Sequence, residues 1–90
     1  MSEWLDGVLV DVRHERDRQE AKWGENSAVN LSLFDGLPVL VEEVGEVAEA
    51  MLDVRWRAGD PGKVYDELIQ VAAVAVAMAE SVLVDGETGR

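Results

Sequence analysis

From Leu68 to Ala79 every residue except Gln70 is apolar. A helix built from this segment has no polar stripe to turn toward water, so it needs cover on all sides, more than one neighbouring helix supplies. Ala72, Ala73, Ala75, Ala77 and Ala79 let the covering helices approach closely. The chain has 90 residues, and so short a chain buries a smaller share of its surface than a mid-sized domain does. The expected architecture is all-α: an antiparallel helical bundle of three main helices per chain, completed to four or more helices by homo-oligomerisation. No period-two alternation, internal repeat or low-complexity segment points to a strand or a second domain, so residues 1–90 read as a single helical domain.

The first helix opens at Ser2, a good cap, and carries Trp4, Leu5, Val8, Leu9 and Val12 at helical spacing before charge takes over between Arg13 and Lys22. Gly24 is its expected stop. From Gly24 to about Leu33, Asn26, Ser27, Asn30 and Ser32 compete with helix through side-chain bonds to backbone, which predicts an ordered loop. Ser32 and Asp35 form a capping-box-like pair for a helix from about Asp35 to Arg57, where Pro38 is tolerable only in the first turn. On that helix Leu40, Val44, Val47, Ala48, Met51 and Leu52 fill one side. Glu42, Glu46, Glu49 and Asp53 line the other, with Glu43 at the border. Gly45 would permit close helix approach, at roughly 1 kcal/mol in helix propensity.

Ala58-Gly59-Asp60-Pro61 is a compact stop and restart. Gly59 suits a left-handed C-terminal cap, Asp60 an N-cap and Pro61 the first helical position. The third helix then runs from about Gly62 to Leu83. So short a connection makes antiparallel neighbours of the second and third helices and brings Glu43 and Glu46 level with Glu67 and Gln70.

The net charge is −11, from 19 Asp+Glu against 8 Lys+Arg. A field of that sign repels nucleic acid and anionic membrane surfaces. Divalent cations invert the local sign, so an anionic small substrate stays compatible with it. The absence of cysteine excludes disulfides and thiolate metal sites and fits a reducing compartment. The N-terminus Met1-Ser-Glu-Trp-Leu-Asp-Gly is acidic and lacks an apolar signal region, and the apolar run Val71 to Ala79 is too short to span a bilayer. The expectation is a soluble, cytoplasmic protein with neither a nucleic-acid nor a membrane partner.

Glu43 with Glu46, and Glu67 with Gln70, stand three residues apart, so each pair shares one face of its helix. Three carboxylates and an amide oxygen around one point make a hard-oxygen site of the kind Mg²⁺ or Mn²⁺ occupies. Burying an unpaired carboxylate costs several kcal/mol. Glu67, at the edge of an apolar helix, therefore needs a cation or a proton, and neither Glu43 nor Glu46 supplies the first. A divalent metal reconciles all three. The competing reading sends Glu67 along its stem into water and makes Glu42, Glu43, Glu46, Glu49 and Asp53 a solvated face. His14, the sole histidine, reads as a surface residue, so the Glu-x-x-His motifs of di-iron bundles are absent. A glycine-rich phosphate cradle is absent too.

Glu42-Glu43-x-x-Glu46 followed by Glu67-x-x-Gln70 resembles the EExxE…ExxD signature of the MazG-like all-α nucleotide pyrophosphohydrolases, especially the short phage-type members. Arg18-Gln-Glu-Ala-Lys-Trp-Gly24 resembles the RQ..KWG segment of that subgroup, and together the matches span about residues 13 to 80. The resemblance implies a single MazG-like helical domain that forms a homodimer or a dimer of dimers. It also implies a Mg²⁺ (or Mn²⁺) cofactor held by Glu43, Glu46 and Glu67, and hydrolysis of a nucleoside triphosphate to monophosphate and pyrophosphate. Gln70 stands where the signature has Asp, so the site loses one negative charge while keeping an oxygen donor. Glu42 or Glu46 would orient the attacking water.

Lys22 is a candidate to pair with a phosphate and Trp23 to stack on a base, with Asn26 and Asn30 at the base edge. Lys63, Arg55 and Arg57 lie near the turn and are further phosphate candidates, although a helix C-terminus favours cations without any ligand. Two readings of another class compete. One is a non-catalytic acidic helical bundle that binds nucleotide or a partner protein, motivated by Gln70. The other is an acidic decoy of nucleic acid that binds basic proteins.

Overall fold

A computed structural model of the chain describes residues 2–23 and 33–88, with the side chains of residues 2, 23, 33–35 and 85–88 excepted. The anticipated loop with Asn26 and Asn30, the Trp23 indole and the Ser32–Asp35 capping pair lie outside the described residues. Three helices make up the fold: α1 over Ser2–Trp23, α2 over Leu33–Arg57 and α3 over Pro61–Thr88. There is no strand among the described residues.

The apolar helix α3 is the central element, packed against α1 and against α2. On the α1 side Val12 meets Ile69 and Ala73, with Ala72 alongside. Tyr65 donates its hydroxyl to Asp11 Oδ2 at 2.5 Å, and Arg16 donates from Nε to Glu80 Oε1 at 2.8 Å. On the α2 side Val74 and Ala77 form a second buried cluster with Val39, Leu40 and Met78 against it. Ala73 and Ala77 are fully buried, so the small side chains admit the close packing expected of them.

The α2–α3 connection is built as the sequence predicts at its second half and differently at its first. Asp60 Oδ1 accepts from the backbone N–H of Gly62 at 2.9 Å, and the Asp60 carbonyl accepts from Lys63 at 3.0 Å. This is the N-cap geometry, with Pro61 at the first helical position. The left-handed residue, however, is Ala58 at φ 55°, not Gly59. What needs glycine at 59 is proximity. Its N–H donates to the Asp53 carbonyl at 2.8 Å, and a Cβ there would stand 2.8 Å from Asp53 Cβ.

Of three further expectations, those for Pro38 and for the apolar residues of α1 are corrected. Because α2 begins at Leu33, Pro38 lies in its second turn, where a proline removes one i→i−4 bond; its ring is exposed, so no packed neighbour is displaced. Gly45 has nothing within 4 Å of where a Cβ would stand, so its missing side chain serves no contact among the described helices of one chain. On α1, Trp4, Leu5, Val8 and Leu9 are exposed and only Val12 is buried, whereas Arg16 and Gln19 in the charged stretch are each 6% exposed.

Cover within one chain is incomplete. On α2, Val47 is buried and Leu40 half-buried, but Val44, Ala48, Met51 and Leu52 are exposed. On α3, Leu68, Val76, Val82 and Leu83 are exposed. Pro61–Val84 has the length, and at 1.8 the mean hydropathy, of a helix able to cross a membrane, although no apolar run within it is that long. It also presents the carboxylate of Glu67 to α2.

Candidate metal centre

Glu43 and Glu46, one turn apart on α2, and Glu67 on α3 each place a carboxylate oxygen so that the three oxygens lie within 4.8 Å of one another. The helix period aligns the first two, and the packing of α3 on α2 adds the third. Glu67 is 7% exposed, Glu43 is half-buried and Glu46 opens to solvent. Glu67 therefore does not extend into water. The Oε2 atoms of Glu43 and Glu67 are both buried without a hydrogen-bond partner among the described residues.

Charge balance inside the cluster is poor. Burial raises the pKa of Glu67, and Glu46 raises it further; Lys63, whose Nζ stands 3.7 Å from Glu67 Oε1, pulls the other way. Burial also raises Glu43, followed by Glu46, Glu67 and Glu15. Lys63 is one turn before Glu67 on α3, and the pair contributes little more than a surface ion pair because the ammonium is mostly exposed. The candidate phosphate ligand Lys63 is thus placed at the carboxylate cluster itself.

Gln70 borders the same region from α3. It lines a small cavity of about 70 Å³ with Glu43 and with Glu15, Arg18, Gln19 and Lys22 of α1. Lys22 therefore stands beside the centre, as its assignment to substrate requires. Glu42 is exposed and is not one of the three grouped carboxylates. Arg55 lies over the Trp56 ring, 5.1 Å from its centroid, and Arg57 pairs with Asp53, so both are engaged at the end of α2. Reasoning from the sequence missed Glu15 and Gln19. The available signal was the three- and four-residue spacing of Val8 and Val12, which continues through Glu15, Gln19 and Lys22 on α1.

The donor set suits a hard divalent cation. Mg²⁺ stands about 2.1 Å from each oxygen ligand, and the three carboxylate oxygens already lie within 4.8 Å of one another. A cation would supply partners to both orphaned oxygens and cancel the repulsion that raises Glu43 and Glu67. The class of site is therefore an all-oxygen, carboxylate-dominated centre shared by two helices. No protein-family model, curated protein or solved structure matches the chain.

Proposed function

We propose that this chain is a Mg²⁺-dependent nucleoside triphosphate pyrophosphohydrolase of the MazG-like type, acting on the nucleotide pool of the cytoplasm. The observation that carries the reading is the meeting of Glu43, Glu46 and Glu67 with two buried, unpartnered oxygens. These are the positions at which the motif resemblance puts its metal ligands. Glu43, Glu46, Glu67 and the Gln70 amide oxygen would hold the cation, which supplies charge neutralisation at the phosphate oxygens and acidifies bound water.

The chain's own residues divide the remaining work. Glu46, the most open of the three carboxylates, holds the attacking water and accepts its proton as the bond between the α-phosphorus and its leaving oxygen breaks. Lys22 beside Gln70 meets the departing pyrophosphate, and Lys63 offsets charge at Glu67. Purified protein with Mg²⁺ or Mn²⁺ and a panel of NTPs and dNTPs releases pyrophosphate. Glu43→Gln and Glu67→Gln abolish that release, and activity that survives both changes sinks the reading.

Gln70 favours a second reading, a bundle that binds nucleotide without turnover. Under it the wild type binds Mg²⁺ and nucleotide but is inert, and Gln70→Asp creates hydrolysis.

The active form is an antiparallel bundle completed by a second copy, as a homodimer or a dimer of dimers. Support comes from the exposed stripe Leu37, Val41, Val44, Ala48 and Met51 at three- and four-residue spacing on α2. An apolar groove of about 700 Å³ between α2 and α3 adjoins it, lined by Ala48, Met51, Leu52, Pro61 and Val64. Light scattering should give a mass of at least twice 9.9 kDa, and Val44→Glu should reduce it to one chain.

A further inference from the structure

We propose that Glu15, on α1, is the fourth acidic group of the metal centre, restoring the negative charge that Gln70 leaves out. This rests on the metal-centre reading above and concerns how the same centre reaches its full charge.

Four observations converge on Glu15. Its side chain is only 14% exposed although it sits in the most charged stretch of the chain, so it faces the protein rather than water. It lines the small cavity that also holds Glu43 and Gln70, and a second cavity bordered by Gln70, Ile69 and Asp66. The small cavity joins all three helices, with Glu15 from α1, Glu43 from α2 and Gln70 from α3. The centre is marked by more than acidity, because Glu67, 7% exposed, keeps Oε2 without a partner among the described residues.

The partner of Glu15 explains how a fourth carboxylate is tolerated before a cation arrives. Arg18, one turn on, forks onto it with Nε–Oε1 at 3.0 Å and Nη2–Oε2 at 2.8 Å. The guanidinium side is 69% exposed, and so exposed a pair is weak. It therefore holds Glu15 weakly and gives it up to a doubly charged ion. Replacing Asp by Gln on α3 and recruiting Glu from α1 leaves the total at four acidic groups while moving one of them to another helix. Closing the centre then also fixes α1 against α3, so ion binding and α1 docking become linked.

Electron paramagnetic resonance of Mn²⁺ titrated into the full chain tests the proposal without reference to turnover. Glu15→Gln should weaken Mn²⁺ binding by about 10-fold or more, the scale on which supporting groups tune metal sites. Adding Gln70→Asp to Glu15→Gln should restore most of the loss. Arg18→Ala should leave binding unchanged or tighter, since it frees Glu15. If Glu15→Gln binds Mn²⁺ like the wild type while Glu67→Gln does not bind, Glu15 is not part of the centre and the proposal falls alone. Weakening by Arg18→Ala equal to that of Glu15→Gln overturns it too, because the pair would then be structural. Undiminished binding by Glu67→Gln removes the metal-centre reading and this proposal together.

Discussion

α3 carries a buried polar cluster on each flank, and the two are built to opposite rules. Toward α1, the guanidinium of Arg16 is 7% exposed and donates to Glu80 at 2.8 Å, Glu20 at 3.1 Å and Gln19 at 3.5 Å. Positive charge sits among acceptors, of which Glu20 and Glu80 reach water. Toward α2, three carboxylates converge, two of their oxygens are orphaned, and the cation within reach, Lys63, stands 3.7 Å off. The first cluster is complete as a set of side chains and holds two helices together. The second is incomplete: its two orphaned oxygens lack the partner that a proton or a cation would supply. Burial alone does not separate scaffold from site; satisfaction of the buried atoms does.

The contrast breaks most visibly in function. Glu43→Gln or Glu67→Gln should lower pyrophosphate release by at least about 100-fold, as expected when a group acting on developing charge is lost. The same changes should raise the melting temperature of metal-free protein, because each removes one of the crowded charges. Arg16→Met should do the reverse. It strips charge-assisted hydrogen bonds and should cost about 2 kcal/mol of stability in chemical denaturation, with Mn²⁺ affinity unchanged. A melting temperature that falls in Glu67→Gln without metal would show that the second cluster also serves as scaffold.

Titration sharpens the same comparison. Glu43 and Glu67 hold their protons to higher pH in the folded chain than the ordinary carboxyl value of 4.5. The folded state therefore binds more protons than the unfolded one in that window. The stability these two groups contribute is full below pH 4.5 and is lost as pH rises through their raised values. Metal-free protein should melt at a lower temperature at pH 8 than at pH 5. The fall should shrink in the Glu43→Gln, Glu67→Gln double variant, with any remaining slope coming from the general acidity of the chain. Saturating Mg²⁺ should flatten it in the wild type, since the ion binds the ionised carboxylates.

The smallest effects concern backbone. Gly45→Ala meets open space and should stabilise by about 0.5–1 kcal/mol through helix propensity. If it instead dissociates the oligomer, the missing Cβ serves contact with a second copy.

Much of the fold was legible because local signals agreed. The Ser2 start and the Asp60-Pro61 restart mark the described helices to within a residue, and the charge-free run after Leu68 lies inside α3. The triad Glu43, Glu46 and Glu67 was legible for the same reason, from spacing on two helices joined by a short turn. What escaped depended on neighbours. Arg16 and Gln19 look like surface because of their type, and only the packing of α1 on α3 buries them. Val44 and Met51 look like core because of their type, yet no described residue of the chain covers them. At the turn, Gly59 was assigned to dihedral freedom, but Ala58 carries the positive φ, and the glycine answers to a carbonyl and a Cβ at Asp53.

That junction does more than reverse the chain. With Gly59 pressed onto Asp53 on one side and Asp60 capping Gly62 on the other, it has no slack. It works as a gauge block, setting how far one rod can slide along the other. A single residue spliced between Ala58 and Asp60 would leave both rods helical yet shift Glu67 past Glu43 and Glu46. The protein would stay folded, but its three carboxylates would no longer meet.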